Sequence, residues 1–276
     1  MRRSLFAAFL LALCAAGAEA ASYDDFAQGL AADQHGDSVL AVTFFTSALA
    51  AGDLSAGLLP QAYRGRGLAY LRLRRCDLAL ADFDAALKLK PDYGDALALR
   101  AGAHACRKDF TAALADFSAL IDKAPVAESY AGRGRLRWET GDFADAADDF
   151  AQQLRLAPSN GYAFLWLESA RQHAGTFDAK RAARDADAIS TRHWPGALVS
   201  FYVGDETVDE VDREAARPDV AAADAQVCEA DFFVGEWLLG HADAAGARTR
   251  LQRAADACPR GESERYNATT ELERLK

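Results

Sequence analysis

Four cysteines follow the first twenty residues, and their type and number imply chemistry more directly than any other feature. They are Cys76, Cys106, Cys228 and Cys258. An even number of cysteines in an exported protein predicts disulfide bonds, and four cysteines allow three connectivities. Export must be inferred from the first twenty residues, and the connectivity from the segments that carry these cysteines.

Other polar residues do not have the spacing of a catalytic or metal site. The acidic run from Asp205 to Asp212 lacks the spacing and the glycine of a calcium loop, so it predicts a solvated face. The chain has no glycine-rich phosphate loop and no nucleophile elbow. We therefore predict no catalytic residue, no metal site and no cofactor.

The first twenty residues have the three-part organisation of a secretory signal peptide. Two arginines precede an apolar run from Leu5 to Leu13, and the small residues Ala18 and Ala20 follow. The apolar run is about half the length of a membrane-spanning helix. Cys14 leaves lipid attachment as an alternative, which the bulky residue before it disfavours. The sequence predicts cleavage after Ala20 and a periplasmic protein, with a lipid-anchored outer-membrane form less favoured.

A pattern of small, aromatic and proline residues repeats from residue 63 onward. The clearest copies contain Arg66-Gly67, Tyr70, Ala79, Phe83 and Pro91, then Arg100-Ala101, His104, Ala113, Phe117 and Pro125, then Arg133-Gly134, Arg137, Ala146, Phe150 and Pro158. Successive prolines are 34 and 33 residues apart. This is the signature of the tetratricopeptide repeat (TPR), a helical hairpin. Weaker copies surround Phe45 and Gly235.

Each residue type in the pattern has a physical role. A small residue in the first helix lets the second helix approach, and the aromatic residue fills the gap between hairpins. Proline ends the second helix because it lacks an N–H and clashes with the preceding turn. A single hairpin cannot bury its apolar faces, so the repeats must stack. The sequence predicts an all-α fold, a TPR-type α-solenoid of helical hairpins.

The regularity of the pattern divides the chain. Residues 21–160 are predicted to form a TPR array of about four repeats. Residues 161–227 are predicted to form an irregular helical insert, because Lys180 occupies the alanine position and Trp194-Pro195-Gly196 interrupts the chain. Residues 228–276 are predicted to form a final TPR and a C-terminal helix.

The histidines are too far apart in this arrangement to share a metal ion. His35, His104, His173 and His241 fall near the ends of first helices. About two repeats separate successive members, which is on the order of 20 Å because each repeat contacts only its neighbours. Zinc–nitrogen bonds are about 2 Å long. The sequence predicts solvated or locally hydrogen-bonded histidines.

This chain has several features beyond the repeat signature: the array is followed by Leu165-Trp166-Leu167, Trp194, Phe201-Tyr202-Val203-Gly204 and Phe232-Phe233-Val234-Gly235. With these features the layout resembles a family of bacterial periplasmic and outer-membrane TPR proteins that includes new lipoprotein I. The resemblance implies a homodimeric adaptor that holds murein hydrolases and a periplasmic processing protease together. This sequence departs from the family in lacking a good lipidation site.

The repeat register selects one disulfide connectivity. Cys76 begins a second helix and Cys106 ends the first helix of the next repeat. Cys228 begins the first helix of the last repeat and Cys258 ends its second helix. Each pair should meet at the open end of one antiparallel hairpin, which predicts Cys76–Cys106 and Cys228–Cys258. Four free buried thiols remain the alternative.

The register also brings arginines near aspartates. Arg66, Arg100 and Arg133 occupy position seven, a packed site where leucine is usual, and Asp82, Asp116 and Asp149 occupy position 23. These positions are nearly level in a hairpin, which predicts an Arg–Asp ladder within each hairpin or with the preceding one. The alternative is three independent surface pairs, each contributing about 0–1 kcal/mol.

First helices line the concave face of a TPR array, so their inward positions predict a protein-binding groove. These residues are Gln61, Arg64, Leu68 and Leu71, then Asp95, Ala98, Gly102 and Ala105, then Glu128, Ala131, Arg135 and Trp138. The mixture of apolar and charged groups suits a peptide or a helix of a partner. Ordinary solvated side chains are the alternative. Leu68, Leu99 and Glu128 occupy the positions at which chaperone-binding TPRs grip a terminal carboxylate, which excludes that subtype.

Composition and charge narrow the function. The net charge of −10 disfavours nucleic acid as a partner because phosphate would be repelled. No segment after the leader is apolar for long enough to give a stable membrane span. The prediction is an exported, non-enzymatic adaptor whose partners are proteins or peptides. The alternative is an enzyme with an unrecognised site in the helical insert.

Overall fold

The computed structural model describes residues 21–217, 223–258 and 263–276. The predicted signal peptide, with Cys14, lies outside these residues. The regular secondary structure of the described residues is α-helical throughout, which confirms the predicted all-α fold. The chain divides into two compact units, Met1–Ala124 and Pro125–Lys276. The boundary falls inside the array predicted for residues 21–160, between the second and third clear repeats.

The first unit contains six described helices. They are α1 (21–34), α2 (Ser38–Ala51), α3 (Leu59–Arg72), α4 (Cys76–Leu89), α5 (Gly94–Cys106) and α6 (Phe110–Lys123). Helices α3 and α4 form one hairpin, α5 and α6 form the next, and the first helices α3 and α5 contact each other. The hairpins therefore present their first helices side by side, as the repeat pattern predicts.

Local sequence explains where these helices begin and how closely they pack. Asp37 begins α2 as its N-cap, because its side chain accepts a hydrogen bond from the Leu40 amide at 2.9 Å. Gly67 of α3 lies against the Phe83 ring of α4, and a Cβ atom at Gly67 would lie 2.7 Å from that ring. The small residue and the aromatic residue of the pattern thus meet inside the hairpin.

The second unit contains nine described helices, several of them short. They are α7 (Ala127–Thr140), α8 (Phe143–Leu156), α9 (Gly161–His173), α10 (Ala179–Ala186), α11 (Gly196–Val203), α12 (Val208–Ala215), α13 (Ala223–Gly240), α14 (Ala244–Ala257) and α15 (Ser263–Arg274). Hairpins form between α7 and α8 and between α13 and α14. Helix α9 packs against α8, α10, α11 and α13, so it lies at the centre of this unit.

Aromatic side chains fill the core of the second unit. Trp166 of α9 packs against Trp138, with ring centroids 5.2 Å apart, and against Phe233, at 5.6 Å. Residues Phe164 to Leu167 are almost completely buried, because helices cover α9 on several sides. The predicted insert therefore supplies much of the core. None of the described helices has the length and apolar character needed to cross a membrane.

Candidate functional site

The predicted Arg–Asp pairs form within hairpins, and Arg100 also joins two hairpins, because its Nη1 donates to Asp84 of α4 in the preceding hairpin at 2.7 Å. Arg66 of α3 donates from Nε and Nη2 to the two carboxylate oxygens of Asp82 on α4, at 2.8 and 2.7 Å. Arg100 contacts Asp116 in the same way, at 2.9 and 2.7 Å. This bidentate geometry matches the planar guanidinium to the carboxylate and joins the two helices of each hairpin.

The third pair is the most buried of the ladder. Arg133 Nε and Nη2 donate to Asp149 Oδ2 and Oδ1 at 3.0 and 2.8 Å, and Arg137 Nη1 donates to Asp149 Oδ2 at 2.7 Å. The Asp149 side chain is only 3% exposed. One buried carboxylate therefore holds two arginines of the neighbouring helix.

The final repeat contains a related pair with the charges exchanged. Arg250 lies on the second helix, α14, and donates to Asp231 of the first helix, α13, at 2.8 Å. It also donates to both carboxylate oxygens of Asp212, at 2.8 and 2.7 Å. The repeat positions do not reveal this pair, because Val234 occupies position seven of the repeat and the aspartate lies one helical turn earlier.

Both disulfides have the connectivity that the repeat register predicts. Cys76 pairs with Cys106 and Cys228 pairs with Cys258, with Cα atoms 6.0 and 5.1 Å apart. One detail of the prediction was wrong. Helix α13 begins at Ala223, so Cys228 lies in its second turn rather than at its start.

In the first unit, groove residues of neighbouring repeats lie next to each other. Arg64 Nη2 of α3 is 3.8 Å from Asp95 Oδ2 of α5. A Cβ atom at Gly102 of α5 would lie 3.6 Å from Leu71 Cδ2 of α3. Gln61 and Asp95 are exposed, and the remaining predicted residues of this unit, Arg64, Leu68, Leu71, Ala98, Gly102 and Ala105, are half-buried.

The predicted groove residues of the second unit differ in exposure. Glu128 and Arg135 are exposed and Ala131 is half-buried. Trp138 was predicted to line the groove, but it is only 1% exposed, so this part of the prediction was wrong. Its ring packs into the core against Trp166, and no face of it is available to a ligand. Repeat position alone could not reveal the side chains that cover it.

The C-terminal helix covers the end of α7. Arg274 of α15 donates to the carbonyl oxygens of Trp138 and Glu139 at 2.8 and 2.9 Å. Tyr266 of the same helix donates to Glu139 Oε1 at 2.5 Å. Helix α15 also packs against α13 and α14. It therefore satisfies carbonyl groups that the end of α7 leaves without helical partners.

A histidine and two glutamates come together in the second unit. His173 Nε2 of α9 lies 2.7 Å from Glu236 Oε2 of α13 and 4.0 Å from Glu271 Oε2 of α15. Both glutamates are 1% exposed. His173 is therefore hydrogen-bonded, as predicted, but the carboxylates beside it lie far from it in the sequence. The spacing of the histidines relative to one another could not reveal these carboxylates.

Burial and mutual charge shift the pKa values in this cluster. Burial, followed by the charge of Glu236, raises the pKa of Glu271 to about 7. Burial lowers the pKa of His173, but the hydrogen bond to Glu236 and the two carboxylate charges outweigh it, so the pKa of His173 is raised. The cluster therefore favours a positive charge on or beside His173.

A separate glutamate of α9 is buried near arginine. Glu168 pairs with Arg171, which also donates to Asp185 at 2.7 Å. Burial raises the pKa of Glu168 to about 7 despite the opposing charge of Arg171. Its Oε2 atom is buried and has no hydrogen-bond partner. The unpaired oxygen explains why the protonated form of this carboxyl is favoured.

Comparison with known proteins agrees with the repeat pattern and the fold. The tetratricopeptide-repeat family model matches residues 127–160, which form the hairpin of α7 and α8. Human tetratricopeptide repeat protein 13 is 30% identical over 122 residues, which are 42% of this chain and only 14% of that protein. The chain thus contains TPRs, the class of repeat that forms protein-interaction scaffolds.

Solved structures support the same architecture. A TPR protein from Parabacteroides merdae has a TM-score of 0.57 and 17% identity, over 91% of this chain and 99% of that chain. The MamA protein has a TM-score of 0.52 and 16% identity, over 61% of this chain and 91% of that chain. At this identity the likeness shows the fold alone. The fold of this chain is an all-α TPR-type solenoid.

Proposed function

We propose that this chain is an exported adaptor that binds a segment of a partner protein on the first-helix face of the first unit. The observation that carries the proposal concerns Arg64. Its Nε atom is buried and has no hydrogen-bond partner, and its ion pair with Asp95 is long at 3.8 Å. A buried donor without a partner costs free energy, so an incoming acceptor would be stabilised there.

The surroundings of Arg64 define the chemistry of the partner segment. The guanidinium fork suits a carboxylate or a backbone carbonyl group. Leu68 and Leu71 follow on the same helix and are half-buried. Gly102 of the neighbouring helix adds no side chain beside Leu71. An amphipathic helix with an acidic residue and one or two apolar residues at helical spacing matches this surface.

The corresponding surface of the second unit is less open. Helix α15 binds the end of α7, and Trp138 is buried. Trp138 is covered by core side chains such as Trp166 and offers no contact to a partner, whereas Glu128 and Arg135 stay exposed. In the first unit every predicted groove residue is at least partly exposed, which favours that unit as the place where a partner binds.

We extend the proposal to the compartment and to the partners. The signal-peptide pattern of the first twenty residues and the two disulfides support an oxidising compartment such as the periplasm. The resemblance to periplasmic TPR adaptors supports murein hydrolases and a processing protease as partners. It also supports a homodimer as the functional form.

The competing proposal, an enzyme with its site in residues 161–227, receives less support. Ser169 and Tyr202 are the hydroxyl groups of this segment that lie together, with oxygens 2.9 Å apart. Both residues are buried, and Tyr202 donates onward to the Phe233 carbonyl oxygen at 2.8 Å. A hydroxyl pair inside the core without access for a substrate acts as a structural contact.

Affinity purification from an envelope extract, followed by mass spectrometry, tests the adaptor proposal. We expect the wild-type protein to enrich murein hydrolases or a periplasmic protease, and Arg64→Ala to lose this enrichment. Lys88→Ala is the matched control, because it removes one positive charge from the exposed side of α4 in the same unit. Equal enrichment by wild type and Arg64→Ala would show that the first-helix face is not the binding surface.

A further inference from the structure

Three helices bring potential metal ligands together inside the second unit. His173 Nε2, a carboxylate oxygen of Glu236 and one of Glu271 all lie within 4.8 Å of one another. The two glutamates are buried, and the His173 side chain is 18% exposed. Residues 173, 236 and 271 are far apart in sequence, so only the folded unit assembles this set.

The ligand set contains a buried oxygen that the protein itself leaves unpaired. Glu236 Oε2 contacts His173, but Glu236 Oε1 is buried and has no hydrogen-bond partner. Glu271 uses Oε1 for an ion pair with Arg274 and directs Oε2 toward His173. A proton on His173 serves one oxygen of Glu236, whereas a cation could be bound by both oxygens of the carboxylate. The unpaired oxygen therefore points to a cation rather than to a proton alone.

Neighbouring aromatic rings hold His173 in place. Its ring stacks on Phe143 with centroids 4.3 Å apart and meets the Trp138 ring edge-on at 4.9 Å. This packing restricts rotation of the His173 ring and so limits the directions in which Nε2 can point. A surface pocket lined by Gly141, Phe143, Asp145 and His173 gives a path from solvent to the ring.

We propose that His173, Glu236 and Glu271 form a binding site for one divalent transition-metal ion, with zinc as the best match. Imidazole nitrogen with carboxylate oxygen is a ligand set that zinc accepts, with bonds of about 2.0–2.2 Å. Tetrahedral ligands at that bond length are about 3.3 Å apart. The His173–Glu236 distance of 2.7 Å would widen and the His173–Glu271 distance of 4.0 Å would shorten, each by less than a side-chain rotation provides.

Electrostatic attraction favours a divalent cation at the site formed by His173, Glu236 and Glu271. Glu271 pairs with Arg274, and Glu236 pairs with His173, so two buried carboxyl groups face the same space. A cation placed between them would be attracted by both. Metal ligands must be deprotonated, so binding must weaken as the pH falls.

Isothermal titration of the purified, oxidised protein with zinc chloride, after treatment with EDTA, tests the site. We expect one equivalent of zinc per chain, and an observed binding heat that changes with the ionisation enthalpy of the buffer because binding releases protons. Glu271→Gln and His173→Gln should each weaken binding by about a hundredfold or more, because each removes a direct ligand. Glu168→Gln is the matched control, since it changes another buried glutamate of the same unit and should leave the affinity unchanged.

Cobalt(II) absorption of the wild-type protein gives a readout that requires no variant to fold. We expect enhanced d–d bands of a nitrogen and oxygen ligand set, without thiolate charge transfer, because the cysteines of this unit are bridged. Absence of saturable zinc binding would overturn the proposal. Equal affinity in all the folded variants would also overturn it, because it would assign the zinc to surface carboxylates. A cobalt spectrum like that of the aqueous ion would also overturn the proposal.

Discussion

Removal of Asp149 is the most informative test of the Arg–Asp ladder. Asp149 of α8 holds Arg133 and Arg137 of α7 through hydrogen bonds of 2.7–3.0 Å, and its side chain is 3% exposed. Asp145 lies on the same helix and also contacts Arg137, at 3.5 Å, but its side chain is 64% exposed. The two aspartates share a helix and a partner and differ chiefly in burial.

The expected magnitude follows from that difference. Removing one partner of a buried ion pair costs about 3–5 kcal/mol, because the remaining charge stays in the protein without compensation. The side chains of Arg133 and Arg137 remain 17% and 21% exposed, so water can reach part of each guanidinium. We therefore expect Asp149→Ala to cost about 3 kcal/mol, at the lower end. An exposed pair contributes about 0–1 kcal/mol, which is the expectation for Asp145→Ala.

Urea denaturation followed by tryptophan fluorescence measures this effect in the correct unit. All four tryptophans lie in the second unit, at positions 138, 166, 194 and 237. With a slope of about 2 kcal/mol/M, Asp149→Ala should lower the urea midpoint by about 1.5 M and Asp145→Ala by less than about 0.5 M. Equal shifts for the two variants would refute the claim that burial makes this pair important.

Three further predictions concern the same unit, and the urea denaturation described above measures each change in stability. Peptide mapping without reductant should find Cys228 bonded to Cys258, and a free thiol at either position contradicts this prediction. Replacing both cysteines with serine should lower the free energy of unfolding by about 3.5 kcal/mol. Gly134→Ala should lower the free energy of unfolding by about 1–2 kcal/mol, because the new Cβ atom would lie 2.8 Å from the Phe150 ring. An unchanged urea midpoint contradicts this prediction. The pKa of Glu168 is raised to about 7, so the folded state keeps a proton that the unfolded state releases. Stability should therefore fall as the pH rises from about 4.5 to 7, and Glu168→Gln should flatten that slope.

The repeat period made much of the fold predictable. Small, aromatic and proline residues at fixed positions specify helical hairpins, and hairpin register then places residues that are 16 or 30 positions apart at the same level. That reasoning was enough for the Arg66–Asp82 type of pair and for both disulfides. These contacts lie within a hairpin, where local geometry determines which side chains meet.

Contacts between non-neighbouring helices were not predictable in this way. Trp138 has the repeat position of a groove residue, but its ring packs against Trp166 of α9, and its carbonyl oxygen accepts a hydrogen bond from Arg274 of α15, a helix that belongs to no predicted repeat. The cluster of His173, Glu236 and Glu271 has the same origin. The sequence contains one sign of a buried carboxylate. Glu236 directly follows the run Phe232-Phe233-Val234-Gly235, where an acidic residue is unusual.

Helix α15 connects the structural and functional features of the second unit. A terminal repeat needs a helix to cover its apolar face, and α15 does this by packing on α13 and α14 and burying Ala268. The same helix supplies Glu271 to the proposed cation site and Arg274 to the end of α7. A bound cation would therefore hold α15 in the position that covers α7.

The first unit has its own exposed face around Arg64, so the adaptor proposal and the cation proposal rest on different residues. Loss of zinc binding would leave the adaptor proposal standing, and loss of partner capture by Arg64→Ala would say nothing against the cation site.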